Sequence, residues 1–457
     1  MEQNKTESLG TGSVGKLLFK LAMPAIAAQI INLLYNLVDR MYIGHIEGVG
    51  KLALTGVGVC LPLIMIISAF AALVSFGGAP RASTFLGKGD HESAERTLGN
   101  CTTMLVIISV LLTAVFQFFA SDLLMLFGAS ENTVGYALEY MNIYSLGTIF
   151  VQLTLGLNVF ISAQGFAKTS MLTVLIGAIT NIILDPILIF GFDMGVAGAA
   201  LATIISQAIS MVWILLFLTG KKTTLRIRKK NLRLSANLVM PCLALGLSPF
   251  IMQSTESLIA LCFNSSLLKY GGDVAVGAMT ILTSVMQFSM LPLMGLTQGA
   301  QPIISYNYGA RNAGRVKSAF KLLLICCVSF STLLWAAVML FPQAFVLIFN
   351  SDAELLVVGA RALRIYMCVS CFFGIQIACQ QTFIALGNAK SSLFLALLRK
   401  IFLLIPLIYI LPMFIADKTS AVFMAEPVAD LFAVATTAIM FFIQFKKEMK
   451  RLEEPIR

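Results

Sequence analysis

Apolar segments of membrane length recur along this chain from end to end, and nothing else constrains its fold so strongly. In hydrocarbon no water is present to satisfy backbone N–H and C=O groups. Each spanning segment must therefore bond to itself, which here means helices. Hydropathy places twelve of them at about 17–44, 52–78, 97–119, 134–163, 171–191 and 195–220, then 238–268, 274–300, 319–341, 356–386, 391–415 and 419–444. Composition excludes a soluble globular domain: 58% of residues are hydrophobic and 12% charged, against about 25% charged in soluble domains. The expected fold is an all-α integral membrane protein of twelve helices in two six-helix lobes, 17–220 and 238–444. A basic linker at 221–237 joins the lobes, and polar tails cover 1–16 and 445–457.

Loop charges orient these helices. Even-numbered loops and the carboxyl tail hold Arg81, Lys88, Arg96, Lys168, the basic linker, Arg311, Arg315, Lys317, Lys390, Lys446, Lys447, Lys450 and Arg451. Odd-numbered loops hold Lys51, Lys269 and Lys418 against eight carboxylates. The positive-inside rule puts both tails and the linker in the cytoplasm. The same rule accounts for the net charge of +10 without a nucleic-acid partner. No cleavable signal peptide is expected, because the first apolar run is long and contains Asp39.

The halves repeat. Pro24 precedes Asp39 by fifteen residues, and Pro241 precedes Glu256 by the same interval. Farther on the register is 222: Pro80 and Gly87 match Pro302 and Gly309, Phe127 matches Phe349, Tyr144 matches Tyr366, and Gly165-x-Ala167-Lys168 matches Gly387-x-Ala389-Lys390. Six helices per repeat keep both halves in one orientation, so the pseudo-two-fold axis runs along the membrane normal. Folds of this kind bind between the halves and work by rocking them.

Acids inside apolar helices carry most of the functional information, since each costs on the order of 2.5–3.5 kcal/mol at a helix centre. Asp39 lies in helix 1, with Asn32, Tyr35 and Asn36 at helical spacing beside it. Asp185 lies in helix 5, four residues after Asn181 and directly before Pro186. Glu256 is in helix 7, three residues after Gln253, and Glu426 and Asp430 flank Pro427 in helix 12. A carboxyl group in an apolar site can take up a proton on one side and release it on the other. Amides and hydroxyls nearby could instead complete an oxygen cage for Na⁺, or the acids could attract a lipophilic cation. The structural alternative is pairing with Arg40, Arg361, Arg364, Arg399 or Lys400.

Asp39, Asn36, Tyr35, Asn181 and Asp185 are accordingly the candidate ion-coupling set. Glu256, Gln253, Asp430, Glu426, Met252 and Met286 are the candidate substrate-binding set, the methionines offering an adaptable apolar surface. Catalysis finds no support. His45 and His91 fall in loops on opposite sides, no phosphate-binding glycine loop is present, and Cys368-x-x-Cys371 lies inside a predicted helix with no second pair. No cofactor beyond a coupling H⁺ or Na⁺ is expected. The expected partners are the lipid bilayer and small organic cations, with the protein acting as a monomer.

The run Met23-Pro24-Ala25…Leu37-Val38-Asp39-Arg40-Met41-Tyr42-Ile43-Gly44 resembles helix 1 of the multidrug and toxic compound extrusion (MATE) transporters. So do Gly165-x-Ala167-Lys168, Asn181-x-x-x-Asp185-Pro186 and Gly195-x-x-Gly198-Ala199-Ala200-x-Ala202-Thr203, and the likeness covers essentially the whole chain. It implies a two-lobe antiporter that expels organic cations in exchange for H⁺ or Na⁺. It also implies an amino-lobe coupling site at Asp39, Asn181 and Asp185, with Thr203 added, where Na⁺ would bind if Na⁺ is the ion. Glu256 matches a helix 7 acid of one branch. That branch also has an acid in helix 10, where this chain has Gln376, Gln380 and Gln381, so coupling shifts towards the amino lobe. A lipid-linked oligosaccharide flippase of the same superfamily, another twelve-helix facilitator, and a non-transporting membrane enzyme or receptor are the competing readings.

Overall fold

The structure is a computed structural model that describes residues 3–349 and 352–454. Among these residues the secondary structure is helical throughout, with no strand. In chain order the helices are α1 (Gln3–Thr11), α2 (Val14–Gly44), α3 (Gly50–Gly87), α4 (His91–Leu126), α5 (Val134–Leu146), α6 (Thr148–Ala163), α7 (Ala167–Pro186), α8 (Gly195–Thr219) and α9 (Ala236–Gly309). There follow α10 (Ala313–Leu340), α11 (Pro342–Leu347), α12 (Ala353–Tyr366), α13 (Phe373–Ala385), α14 (Ala389–Leu397), α15 (Ile405–Phe414), α16 (Lys418–Phe423) and α17 (Ala425–Glu453).

Eleven spans follow from length and apolarity if the bent pairs α5–α6 and α12–α13 each count as one. The twelfth is inside α9. A straight helix of 74 residues would run about 110 Å, several times the thickness of a bilayer core. Gly272, at φ 64 and ψ −162, breaks it, a backbone conformation that glycine adopts without Cβ strain. Cys242 and Tyr306, from the two arms of α9, both abut α3, at Gly77 and Gly87, so the chain reverses at the break.

The 222-residue repeat is a structural one. Asp90 and Asn312 cap α4 and α10, each accepting from the backbone N–H three residues on. Ser83 Oγ donates to the Ala163 carbonyl, and Ser305 Oγ donates to that of Ala385. The turns at Gly165 and Gly387 both have positive φ. Two helices expected to be continuous are bent at matching places, by 59° after Leu146 and by 47° after Tyr366. The second bend corrects the placement of Cys368-x-x-Cys371, which straddles the break, with Cys368 in the turn and Cys371 in a 3-10 turn at Ser370–Phe372.

The lobes meet along α3 and α9 at the end of the bundle that carries both chain termini. Glycine permits the approach: a Cβ on Gly87 would strike the Tyr306 carbonyl, and one on Gly309 would strike that of Thr84. These two contacts are images of each other in the 222 register. Gly77 against Cys242 and Gly246 against Leu73 add two more backbone contacts, the small-residue packing typical of helices in lipid. Gly246→Val is expected to part α3 from α9 here. The buried Cys242 should then alkylate readily with N-ethylmaleimide, read by peptide mass spectrometry. Cys242 protection equal to that of the parent protein would refute the closure.

The linker is strapped to the first lobe. Asn100 Nδ2 donates to the Asn231 carbonyl, its Oδ1 accepts from Ser235 N–H, and Thr103 Oγ1 donates to the Leu232 carbonyl. Gln164 Oε1 accepts from Thr223 Oγ1 and from the N–H groups of Thr224 and Leu225. Helix α1 then bridges the lobes: Thr6 Oγ1 donates to the Gln164 carbonyl, while Asn307 Nδ2 and Arg315 Nη2 donate to that of Leu9.

Candidate functional site

Helices α2 and α7 pack against each other in the first lobe and bring their acids together. The carboxyls of Asp39 and Asp185 are in contact, and the Tyr35 ring is beside both. Asn181 Nδ2 donates to Asp185 Oδ1 at 3.2 Å. That bond follows from the four-residue spacing on α7. Pro186 has no N–H to give, and beyond it the backbone widens into a π-helical turn over Ile187–Gly191. Tyr140, on α5, faces Asp39 and lies against Thr203 of α8. Asp185, Asn181 and Thr203 are buried. Three oxygens here, Asp39 Oδ1, Asp185 Oδ2 and Asn181 Oδ1, have no hydrogen-bond partner. Neither acid is in a salt bridge among the described residues.

Tyr35 also lines a cavity of about 350 Å³. Its walls come from α2, α3, α6, α7 and α8, and α9 closes it from the other lobe with Gln253, Met294, Gln298, Gln301 and Pro302. No charged side chain is among its described lining residues. Asn158, Gln207 and Gln301 each present a buried polar atom without a partner. These amides flank apolar surface from Phe76, Leu155, Val159 and Val174, the mixed lining expected of a site for small organic ligands.

The second lobe is built differently at the corresponding place. A π-helical segment, Leu398–Leu404, carries Arg399 and Lys400 into the interior. Arg399 Nε is 2.6 Å from Asp430 Oδ1, its Nη2 is 2.9 Å from Glu426 Oε1, and the guanidinium lies over the Phe373 ring. Lys400 Nζ is 2.6 Å from Glu256 Oε1. Subtracting 222 from 399 and 400 gives Gly177 and Ala178, which line the cavity in the first lobe. Cationic heads fill the second lobe where small residues leave space in the first.

Of the sequence-derived coupling set, the structure gathers Asp39, Tyr35, Asn181, Asp185 and Thr203. Asn36 stands apart: it is exposed, and its Nδ2 donates to the Asn32 carbonyl one turn back. The substrate set divides. Gln253 lines the cavity. Glu426 and Asp430 do not reach it, because both are buried on Arg399, the pairing weighed as the structural alternative. Glu256 is held by Lys400, although its side chain remains 50% exposed against 6% for the lysine. Met252 Sδ accepts from Gln380 Nε2, in a chain that runs Gln376–Gln380–Ser248 where a helix 10 acid is missing. Met286 lines a void of water size within the second lobe.

Sequence reasoning passed over Tyr140, Asn158, Gln207, Gln298 and Gln301. A census of amides within membrane helices, alongside that of acids, would have found the last four. Tyr140 gave no signal, because an aromatic residue in an apolar helix is ordinary.

The MatE family profile matches residues 24–187 and 249–410, one stretch in each lobe. This chain belongs to the MATE family. Multidrug export protein MepA of Staphylococcus haemolyticus (strain JCSC1435) is 25% identical over 399 residues, covering 87% of each chain. MepA of Staphylococcus aureus (strain NCTC 8325 / PS 47) is 25% identical over 403 residues with the same coverage. Among solved structures, the MATE multidrug transporter DinF-BH is 35% identical, with a TM-score of 0.87 over 95% of this chain and 96% of that one. A MATE crystallised in the bent conformation is 23% identical, with a TM-score of 0.92 over 98% and 99%. MATE transporters carry twelve membrane helices in two lobes, the architecture described above. The chain is thus a multi-pass membrane transporter.

Proposed function

We propose that this MATE protein is an antiporter that exports varied lipophilic organic cations in exchange for H⁺, by alternating access, with both termini in the cytoplasm. The observation that carries the reading is the contact between Asp39 and the buried Asp185, neither of which is in a salt bridge among the described residues. Two carboxyls held together are compatible with one shared proton but repel when both are charged. Proton loss therefore leaves the cluster seeking a cation. Tyr35 connects it to the cavity, since the same side chain lies near both acids and lines the wall. Multidrug substrates fit the neutral, amide-studded lining, and the names of the MepA relatives point the same way. A cationic pyrophosphate-binding cavity, which a lipid-linked sugar flippase would need, has no counterpart among the described lining residues. Thr203 and the unpartnered Asn181 Oδ1 favour Na⁺ as the second reading, because neutral hydroxyl and carbonyl oxygens beside two carboxylates can ligate a cation.

The test is transport in proteoliposomes. A fluorescent lipophilic cation is followed under an imposed pH gradient, then under an imposed Na⁺ gradient, each at clamped membrane potential. The proposal expects movement driven by the pH gradient. Movement driven by Na⁺ alone would install the second reading, and no gradient-driven movement would end both.

A further inference from the structure

Away from the cavity and the acid pair, a groove of about 580 Å³ lies between α10 and α17 on the outer face of the second lobe, over α13. Its floor is aromatic. The Phe320 ring is 4.5 Å from that of Phe441 and 5.1 Å from that of Phe445, and the latter two stack at 4.9 Å. Its mouth is basic. Lys446 and Lys450 stand one turn apart on α17, and Lys317 faces them from α10. Glu453 is the one carboxylate among the described lining residues, and Lys317 holds it.

Dimensions and charge identify an occupant. From Lys450 to Ala438, both lining residues, α17 rises about 18 Å. One leaflet contributes about half of a hydrocarbon core of about 30 Å. With the span ending near residue 444, the groove therefore runs from the headgroup level at the end bearing the termini to about 9 Å into that leaflet's hydrocarbon, with cations at the polar end and aromatic rings along the apolar end. Lipid-facing surface in general needs no specific ligand. A walled groove that enters the leaflet, with two lysines at its mouth not taken by a lining carboxylate, matches an anionic headgroup joined to the upper part of an acyl chain. We propose that this groove binds an anionic phospholipid, of the phosphatidylglycerol type, from the leaflet on the side of the chain termini. The headgroup phosphate sits between Lys446 and Lys450, and one acyl chain lies over Phe320, Phe441 and Phe445.

Native mass spectrometry of the full chain in detergent tests this, with phosphatidylglycerol or phosphatidylcholine of matched acyl chains added. The intact protein should retain phosphatidylglycerol at least about tenfold more strongly, since each lysine near an anionic lipid is worth about 1 kcal/mol. Lys446→Gln with Lys450→Gln should bring retention down to the phosphatidylcholine level. Ala438→Trp, which fills the apolar end and leaves the lysines, should weaken both lipids, and inorganic phosphate should not compete. Equal retention of the two lipids by the intact protein, or unchanged selectivity in the double variant, would overturn the proposal. Elution volume reports that every variant is folded, and phosphatidylcholine retention reports it also for the double lysine variant. None of these readouts depends on transport.

Discussion

Asp39→Asn is expected to reduce gradient-driven efflux to the level of protein-free liposomes while leaving the protein folded. The amide cannot release a proton, so the cluster loses its means of alternating between a charged and a neutral form. The fold should survive because Asp39 makes no salt bridge that the substitution would break, and because a neutral amide is less costly than a carboxylate in an apolar site. Asp185→Asn should behave likewise, with Asn181 still able to donate to the new side-chain oxygen. Downhill exchange of labelled substrate, without an imposed gradient, should persist in both variants and lose its dependence on pH. The measurement is a pair of assays on each variant, gradient-driven uptake and equilibrium exchange. Normal uptake by Asp39→Asn would remove that residue from coupling. Loss of both activities together with loss of the folded elution peak would make its role structural.

The largest effect on stability is expected at Arg399. Replacing it by Met leaves Glu426 and Asp430 facing each other inside the second lobe with no cation between them, a loss of about 3–5 kcal/mol for a buried network of this kind. Unfolding in detergent should shift down by several degrees. Adding Glu426→Gln and Asp430→Asn to Arg399→Met should recover much of the loss, because the uncompensated charge rather than the absent bridge is what destabilises. Lys400→Met should cost less, since its partner Glu256 is half exposed and solvent screens it. An Arg399→Met variant that unfolds at the parent temperature would contradict this account of the second lobe.

The acids of both lobes were legible in the sequence, but which of them would find a basic partner was not. Asp39 and Glu256 follow their prolines by the same interval, and Asp430 and Asp185 each have a polar residue four positions earlier, Glu426 and Asn181. What separates them is whether a cation on another helix comes within reach. Arg399 and Lys400 were visible as available partners, and the repeat register even set them opposite Gly177 and Ala178. Hydropathy cannot show that a π-helical turn aims both basic side chains inward. The bends at Gly147 and near Cys368 escaped notice for a related reason: apolar composition continues through them, so hydropathy reads one helix where the backbone makes two.

The sequence alone determined the class of this protein. Apolar length required membrane helices, loop charge predicted their orientation, and the 222-residue register foretold two lobes, because solvent transfer and periodicity are local properties of the chain. It also marked Asp39 and Asp185, since an ionisable group in hydrocarbon is costly wherever its partners turn out to be, and Asn181 by its place one turn before Asp185. Only the tertiary structure decided which acids remain unpaired, and that the cavity belongs to the first lobe while the second is closed by an ion network. Those outcomes depend on a few ångströms between side chains far apart in sequence. Contact at that range arises when whole helices pack, and no single segment specifies it.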